Sequence, residues 1–252
     1  MWTTDFKGEF RLGPGPYCYP LTLLDAYSRF LLGCSGLLST ATVPAQVVFT
    51  RLFQRFGLPS VIRSDNGVPF ASSSALCRLS KLSVWWIRLG IRPERIDPGS
   101  PQQNGQHERM HKTLKAEATR PPSATLREQQ ARFDRFRREY NSERPHEALG
   151  QCTPASFYTP SSRPFPSRLP ELEYPAHLEI RRVGSNGMVT WQGRHFWLTT
   201  ALAGEDVSFE ETDSDEWRLS FGPLTLGIYH PPSNIFLSES YWKSNDPINS
   251  SD

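Results

Sequence analysis

An α/β domain with a mixed sheet covered by helices, followed by a small all-β domain, is what this 252-residue sequence predicts on three observations. Three β-rich runs come first with no helical pattern between them. Apolar runs of strand length then alternate with amphipathic runs of helix length. A proline-rich break finally gives way to short β-type runs separated by Gly or acidic turns.

Taken in order, strands are expected near residues 2–10, 17–25 and 29–37, a helix near 42–56, a strand at 60–64, a helix at 73–89 and a short strand at 91–96. Helices near 101–119 and 124–141 follow. The opening Trp2-Thr-Thr-Asp-Phe-Lys-Gly-Glu-Phe10 is amphipathic, and the apolar Ser60-Val-Ile-Arg-Ser64 stops at Asp65-Asn66-Gly67, a turn signal. Ser100 precedes Pro101 as a helix-initiating pair. Between Arg127 and Arg144, Arg132, Arg135, Arg137 and Arg138 alternate with Phe133, Phe136 and Tyr140, which predicts a helix that buries its aromatics and wets its guanidiniums.

The first domain is therefore expected over 1–158. Pro160, Pro164, Pro166, Pro170 and Pro175 make 159–175 a semi-rigid linker. Runs at 177–183, 187–191, 194–199, 206–209 and 217–221 predict a small β-barrel over 176–231, and the polar 232–252 reads as a flexible tail.

The net charge of +2 conceals a division. Residues 1–159 hold 21 Lys and Arg against 13 Asp and Glu, while 160–252 hold 7 against 13. A basic front half suits a phosphate-binding surface, and the acidic rear favours subunit contact over a nonspecific grip on DNA. No run of about 18 apolar residues exists, so no membrane span is expected, and the N-terminus lacks a secretory pattern. Cys18, Cys34, Cys77 and Cys152 form neither a Cys-x-x-Cys pair nor a zinc spacing, which favours inert thiols in a reducing cytoplasm.

Three acids stand in separate motifs. Asp5 lies in Asp5-Phe-Lys-Gly8, Asp65 in Phe56-Gly-Leu-Pro-Ser-Val-Ile-Arg-Ser-Asp-Asn-Gly67, and Glu108 in Ser100-Pro-Gln-Gln-Asn-Gly-Gln-His-Glu108. Singly, they read as a solvated edge-strand Asp, a turn former and a surface helix Glu. Together with Pro20-Leu-Thr-Leu-Leu-Asp-Ala-Tyr-Ser-Arg29, and closed by Arg144-Pro-His-Glu-Ala-Leu149 and Thr153-Pro-Ala155, the motifs occur in the order of a known family. Over roughly the first 155 residues the chain resembles the catalytic core of the DDE integrase-type transposases of bacterial insertion sequences, relatives of retroviral integrases. One departure is a longer stretch between the second and third acids, around Leu82 to Gly90, which reads as a lengthened helix.

The resemblance implies a ribonuclease H-like, mixed five-stranded sheet covered by helices, with Asp5 and Asp65 on adjacent central strands and the Glu108 helix packed across them. It implies that Asp5, Asp65 and Glu108 are both catalytic residues and ligands of two Mg²⁺ (or Mn²⁺) ions, Asp5 bridging. Hard oxygen donors suit such ions, and a pair about 4 Å apart serves phosphodiester chemistry. The implied reaction is cleavage at transposon ends and transfer of the freed 3′-hydroxyl into target DNA, on double-stranded DNA, by a homo-oligomer acting at the bacterial nucleoid in the cytoplasm, with no membrane involved. Asp25 and Asp97 are the nearest competing acids and are set aside, the first for its place in the non-catalytic Asp-Ala-Tyr-Ser-Arg and the second for its turn context.

Helical spacing places Asn104, Glu108, Lys112 and Lys115 on one stripe. Asn104, Lys112 and Lys115 are thereby expected to contact DNA, the lysines as point charges on phosphates; Lys115 matches the basic residue the family places about two turns beyond its glutamate. His107-Glu-Arg-Met-His111 also fits the zinc-protease pattern H-E-x-x-H, but Leu114 stands where the short-spaced version needs Gly for the chain to return with a third ligand. Family members usually carry a helix-turn-helix before the core, and Met1-Trp2-Thr3-Thr4 opens directly on the Asp5 strand, so an N-terminally truncated form is expected. The competing function is a catalytically inactive DNA-binding remnant.

Overall fold

The computed structural model describes residues 1–72, 75–96, 105–212, 216–231 and 235–238. Chain contacts divide it into two compact units, one of residues 1–69 and 91–167, the other of 70–90 and 168–252.

The first unit is built on a sheet of six strands. β1 (Trp2–Phe6) and β2 (Phe10–Arg11) both pair with β3 (Tyr17–Asp25), β3 pairs with β4 (Leu31–Leu37), and β5 (Val61–Ser64) joins β1 to β6 (Arg92–Arg95). Pairings β1–β3 and β3–β4 are antiparallel, whereas β1–β5 and β5–β6 are parallel, so the sheet is mixed. The sixth strand departs from the five expected. The run at 2–10 is interrupted after Phe6 and resumes only as β2, a two-residue stub opposite Tyr17 and Cys18.

Helix α1 (Thr42–Phe56) buries Val48, Phe49 and Phe53, with Phe53 stacked on Trp2 of β1 at 5.6 Å between ring centroids. α3 (Gly105–Ala118) and α4 (Leu126–Ser142) bury Met110, Leu114, Phe133 and Phe136 in one cluster with Leu24 and Leu31 of the sheet. On α4 the aromatics are buried and Arg135 and Arg138 exposed as predicted, whereas Arg132 and Arg137 are half-buried, and burial lowers the Arg137 pKa. Polar bridges also dock α4 to β4. Asn141 accepts from Leu31 N at 2.8 Å and donates to its carbonyl at 3.0 Å, and Gln130 spans Gly36 N and Cys34 O. Buried backbone groups at this sheet edge are thus satisfied by side chains instead of a further strand.

The second unit contains α2 (Lys81–Arg88), β7 (Glu179–Arg182), β8 (Met188–Trp191), β9 (Arg194–Trp197), β10 (Asp206–Glu211), β11 (Trp217–Phe221), β12 (Leu224–His230) and β13 (Ile235–Ser238). Five strands form an antiparallel sheet in the order β13-β12-β11-β10-β7, and β8–β9 form a hairpin. Beyond residue 175 the region is mainly β, and among the described residues no pairing joins β13 to β7 to close the expected barrel. Trp191 stacks on Phe209 at 4.8 Å in a core that also holds Phe221, Tyr229, and Val84 and Ile87 of α2.

Several expectations change here. The helix expected at 73–89 is confined to 81–88, because Cys77 and Arg78 adopt positive φ (50° and 52°) and Ser80 starts a new helix with a capping box to Ser83. The 70–90 stretch groups with the β unit instead of the 1–158 domain. The 159–175 linker is tied down at both ends. Ser161 N donates to Phe56 O and Leu58 N to Arg163 O, crossing Gly57, where a Cβ would lie 2.5 Å from Ser161 O. Further on, Tyr174 Oη donates to Asp206 O and Arg88 donates to Pro170 O. Within the expected tail, β13 pairs antiparallel with β12, Ile235 to Ser238 opposite Gly227 to His230. No described helix is long and apolar enough to cross a membrane.

Candidate active site

Asp5 and Asp65 are brought together by strand register. β1 and β5 run parallel with Thr3 opposite Arg63 and Thr4 opposite Ser64, so the next step sets Asp65 beside Asp5. On its other side Asp5 is paired with Thr22 of β3. Both carboxylates are half-buried at the carboxyl ends of adjacent strands.

Asp65 ends its strand in an Asx turn, its Oδ1 accepting from Gly67 N at 3.1 Å. A Cβ on Gly67 would lie 3.1 Å from Asp65 Oδ2, so the turn depends on that glycine for space. Arg95 of β6 donates to Ser64 Oγ and to the Asp65 carbonyl, both at 3.2 Å, and pins the main chain. Burial pushes the Asp65 carboxyl pKa up, and the Gly67 hydrogen bond and Arg95 only partly oppose it. A bound cation would offset that penalty, so the hard oxygen donors here fit a divalent ion.

α3 lies against β1 through His111. Its Nε2 is 2.8 Å from Thr22 Oγ1, which in turn donates to the Asp5 carbonyl at 3.0 Å; its Nδ1 is 4.0 Å from Asp5 Oδ2. Burial, reinforced by Lys7, lowers the His111 pKa to about 4, and burial lowers that of His107 to about 3, so both rings are neutral at pH 7. Glu108 is exposed one turn before His111, on the adjoining line of the helix. Among the described residues no three His, Cys, Asp or Glu side chains are grouped closely enough to hold an ion. Glu108 is thus not gathered with the two aspartates into a ready-made set among the described residues.

Lys112 and Lys115 are exposed on the α3 face that carries Glu108, as the spacing predicts. Asn104 and Asp97 lie outside the described residues. Asp25 is occupied structurally, its Oδ2 accepting from Ser28 N and Ser28 Oγ. Three neighbours escaped the sequence reading. His111 was visible only as half of a zinc pattern, and Arg95 carried no motif. Lys7, two residues beyond Asp5, has its pKa lowered by burial and then by Lys115 and Arg120, which locates a positive cluster at this end of β1.

Two family models, each described as "Integrase core domain", match residues 1–101 and 89–154. The Gag-Pol polyprotein of baboon endogenous virus (strain M7) is 34% identical over 121 residues, 47% of this chain and 6% of that protein. The Pol polyprotein of feline endogenous virus ECE1 is also 34% identical over 121 residues, 47% of this chain and 11% of that protein. The aligned stretch thus spans a small part of these relatives, which are retroviral and not bacterial. A chain of the simian T-cell lymphotropic virus intasome, solved with PP2A regulatory subunit B56 gamma, shares the fold with a TM-score of 0.52 at 15% identity, covering 91% of this chain and 78% of that one. Mixed sheet, parallel β1–β5 pair and matched models agree in likening residues 1–154 to an integrase core domain.

Proposed function

We propose that this protein is a DDE-type transposase related to those of bacterial insertion sequences, a polynucleotidyl transferase that cleaves and joins DNA strands. The observation that carries the reading is the register that sets Asp5 and Asp65 side by side at the ends of parallel strands, with the Glu108 helix against the first of them. Asp5, Asp65 and Glu108 would hold two Mg²⁺ or Mn²⁺ ions. When bound, such ions supply activation of the attacking oxygen and charge stabilisation on the leaving oxygen.

The chain's own residues do the positioning. Thr22 fixes the Asp5 backbone and His111 faces its carboxylate, while Gly67 and Arg95 fix Asp65. Completing the site requires the exposed Glu108 carboxylate to turn toward the aspartates, a side-chain motion its lack of burial leaves open. Lys115, with Lys7 and Arg120 nearby, would hold backbone phosphates, and Lys112 and Asn104 extend the same contact. The partners are transposon ends and target DNA in the cytoplasm, engaged by an oligomer of this chain, with the β unit supplying subunit contacts.

The test is nicking of supercoiled plasmid in Mn²⁺ and in EDTA. Metal-dependent nicking should fall about a thousandfold in Asp65→Asn while plasmid binding persists, because the amide keeps the shape and loses the charge that holds an ion. Metal-independent DNA binding with no nicking by the wild type would instead favour the inactive remnant.

A further inference from the structure

A groove of about 670 Å³ opens beside α3, which lines it with Gln106, Arg109 and Thr113. Four separated segments build it. The β3–β4 turn contributes Arg29, α3 contributes Arg109 and Thr113, the last turn of α4 contributes Tyr140, and the loop after it contributes Arg144 and His146. At 100° per residue, Gln106, Arg109 and Thr113 fall on a different face of α3 from Glu108, Lys112 and Lys115. This is therefore a second site and not an extension of the first.

Three guanidiniums meet a single lining carboxylate, Glu147. Arg29 sits at φ 63° in a turn closed by Arg29 N to Asp25 O at 2.9 Å, and its Nη1 donates to Ala26 O at 3.0 Å. One edge of that guanidinium is anchored, and the remaining N–H groups are available to the groove. Arg144 is paired with Glu117, which positions its head. Arg109 is exposed on α3. The three act on common ground: the fields of Arg144, Arg29 and Arg109 all oppose the burial-driven rise of the Tyr140 pKa to about 12, and all add to the lowering of the His146 pKa that burial begins. His146 Nε2 is buried with no hydrogen-bond partner among the described residues.

Glu117 offsets Arg144, while Arg29 and Arg109 line the groove with no ion pair of their own among the described residues, an arrangement that favours an incoming anion. Guanidinium groups match the oxygens of phosphate in paired, directional hydrogen bonds, and the volume falls in the ordinary range of ligand pockets, roughly 300–1,000 Å³. We propose that the Arg29–Arg109–Arg144 groove binds a phosphate-class anion, carried by a nucleic-acid backbone or free in solution. The site goes beyond the proposed strand-transfer chemistry and does not depend on it, since none of its residues is a candidate metal ligand.

Binding is measured on the full chain in EDTA, which keeps divalent metal out and separates this site from the acid centre. One arm follows the thermal midpoint against inorganic phosphate. The other follows the fluorescence anisotropy of a labelled duplex across a salt series. Arg135→Ala, which removes an exposed guanidinium elsewhere on α4, serves as the control for loss of one charge. Phosphate should raise the midpoint of wild type and Arg135→Ala but not of Arg109→Ala if the ligand is a free anion. Duplex affinity should fall about tenfold further in Arg109→Ala than in Arg135→Ala if the ligand is a DNA phosphate. Arg29→Gln, which leaves α3 intact, should repeat whichever result is obtained and replaces Arg109→Ala should that variant fail to fold. If both arms give the groove variants the same response as Arg135→Ala, with circular dichroism showing folded protein, the proposal is overturned.

Discussion

In the first unit 19 Lys and Arg stand against 13 Asp and Glu, whereas in the second 9 stand against 13. The units also spend burial differently. The second places its carboxylates on the surface beside arginines, as in Arg182–Asp206 at 3.1 Å and Arg218–Glu210 at 3.3 Å, and fills its interior with Trp191, Phe209, Phe221 and Tyr229. The first half-buries Asp65 against a main-chain N–H and sinks two neutral histidines on α3, His111 lying 4.0 Å from Asp5. Acids neutralised at the surface are what a stable scaffold requires. An acid carried into a half-dry strand end with its pKa raised is what an ion site requires.

The contrast is broken most severely through the second core. Trp191→Ala removes a fully buried ring stacked on Phe209 and should cost about 3–5 kcal/mol, read as a lower urea midpoint. A loss below about 1 kcal/mol would mean the aromatic cluster is not what holds that unit.

A second effect, of opposite sign, is expected in the first unit. The folded Asp65 carboxyl has a pKa raised above its ordinary value of 3.8, so the folded state holds this proton more tightly than the unfolded chain. The stabilising contribution is present below the ordinary value and is lost as pH rises through the folded value, which leaves a destabilising carboxylate at pH 7. Without metal, Asp65→Asn should therefore melt higher than wild type, by about 2–4 °C for each kcal/mol relieved. Mg²⁺ should raise the wild-type midpoint and leave the variant's nearly unchanged. Equal metal responses in both proteins would remove Asp65 from the ion site.

Of the first unit, the sequence disclosed the strands that carry Asp5 and Asp65, because alternation and the Asp-Asn-Gly turn are local signals. It also disclosed the α3 stripe, because a helix fixes neighbours at three and four residues. The groove was not legible, since Arg29, Arg109 and Arg144 come from segments up to 115 residues apart and carry no shared pattern. Nor was the place of α2, which packs Val84 and Ile87 into a core most of whose other members lie some hundred residues later in the chain.

A smaller effect tests the basic stripe. Lys115→Ala should weaken duplex binding a few-fold and reduce the salt slope by about one phosphate, because it removes a point charge from the cluster with Lys7 and Arg120. An unaltered slope would leave Lys115 as a solvated helix residue.

The smallest effect concerns acid. His146 has its pKa lowered by burial and by Arg144, so the unfolded chain takes up this proton first as pH falls through the ordinary value of 6.5. Its contribution to stability is intact above that value and lost below it. The difference in urea midpoint between pH 7.5 and 5.5 should shrink in His146→Gln; an unchanged difference would assign the acid sensitivity to other groups.

By itself the sequence determined the alternating order of elements and the basic front half, and it singled out three candidate acids, all on signals carried by neighbouring residues or by composition. Tertiary structure alone decided that 70–90 joins the β unit, that the proline-rich stretch is tied down, that β13 extends the last sheet, and that Asp5 meets Thr22 and His111. Each of these follows from which apolar faces and strand edges find one another across long stretches of chain, and pairing of that kind has no local code.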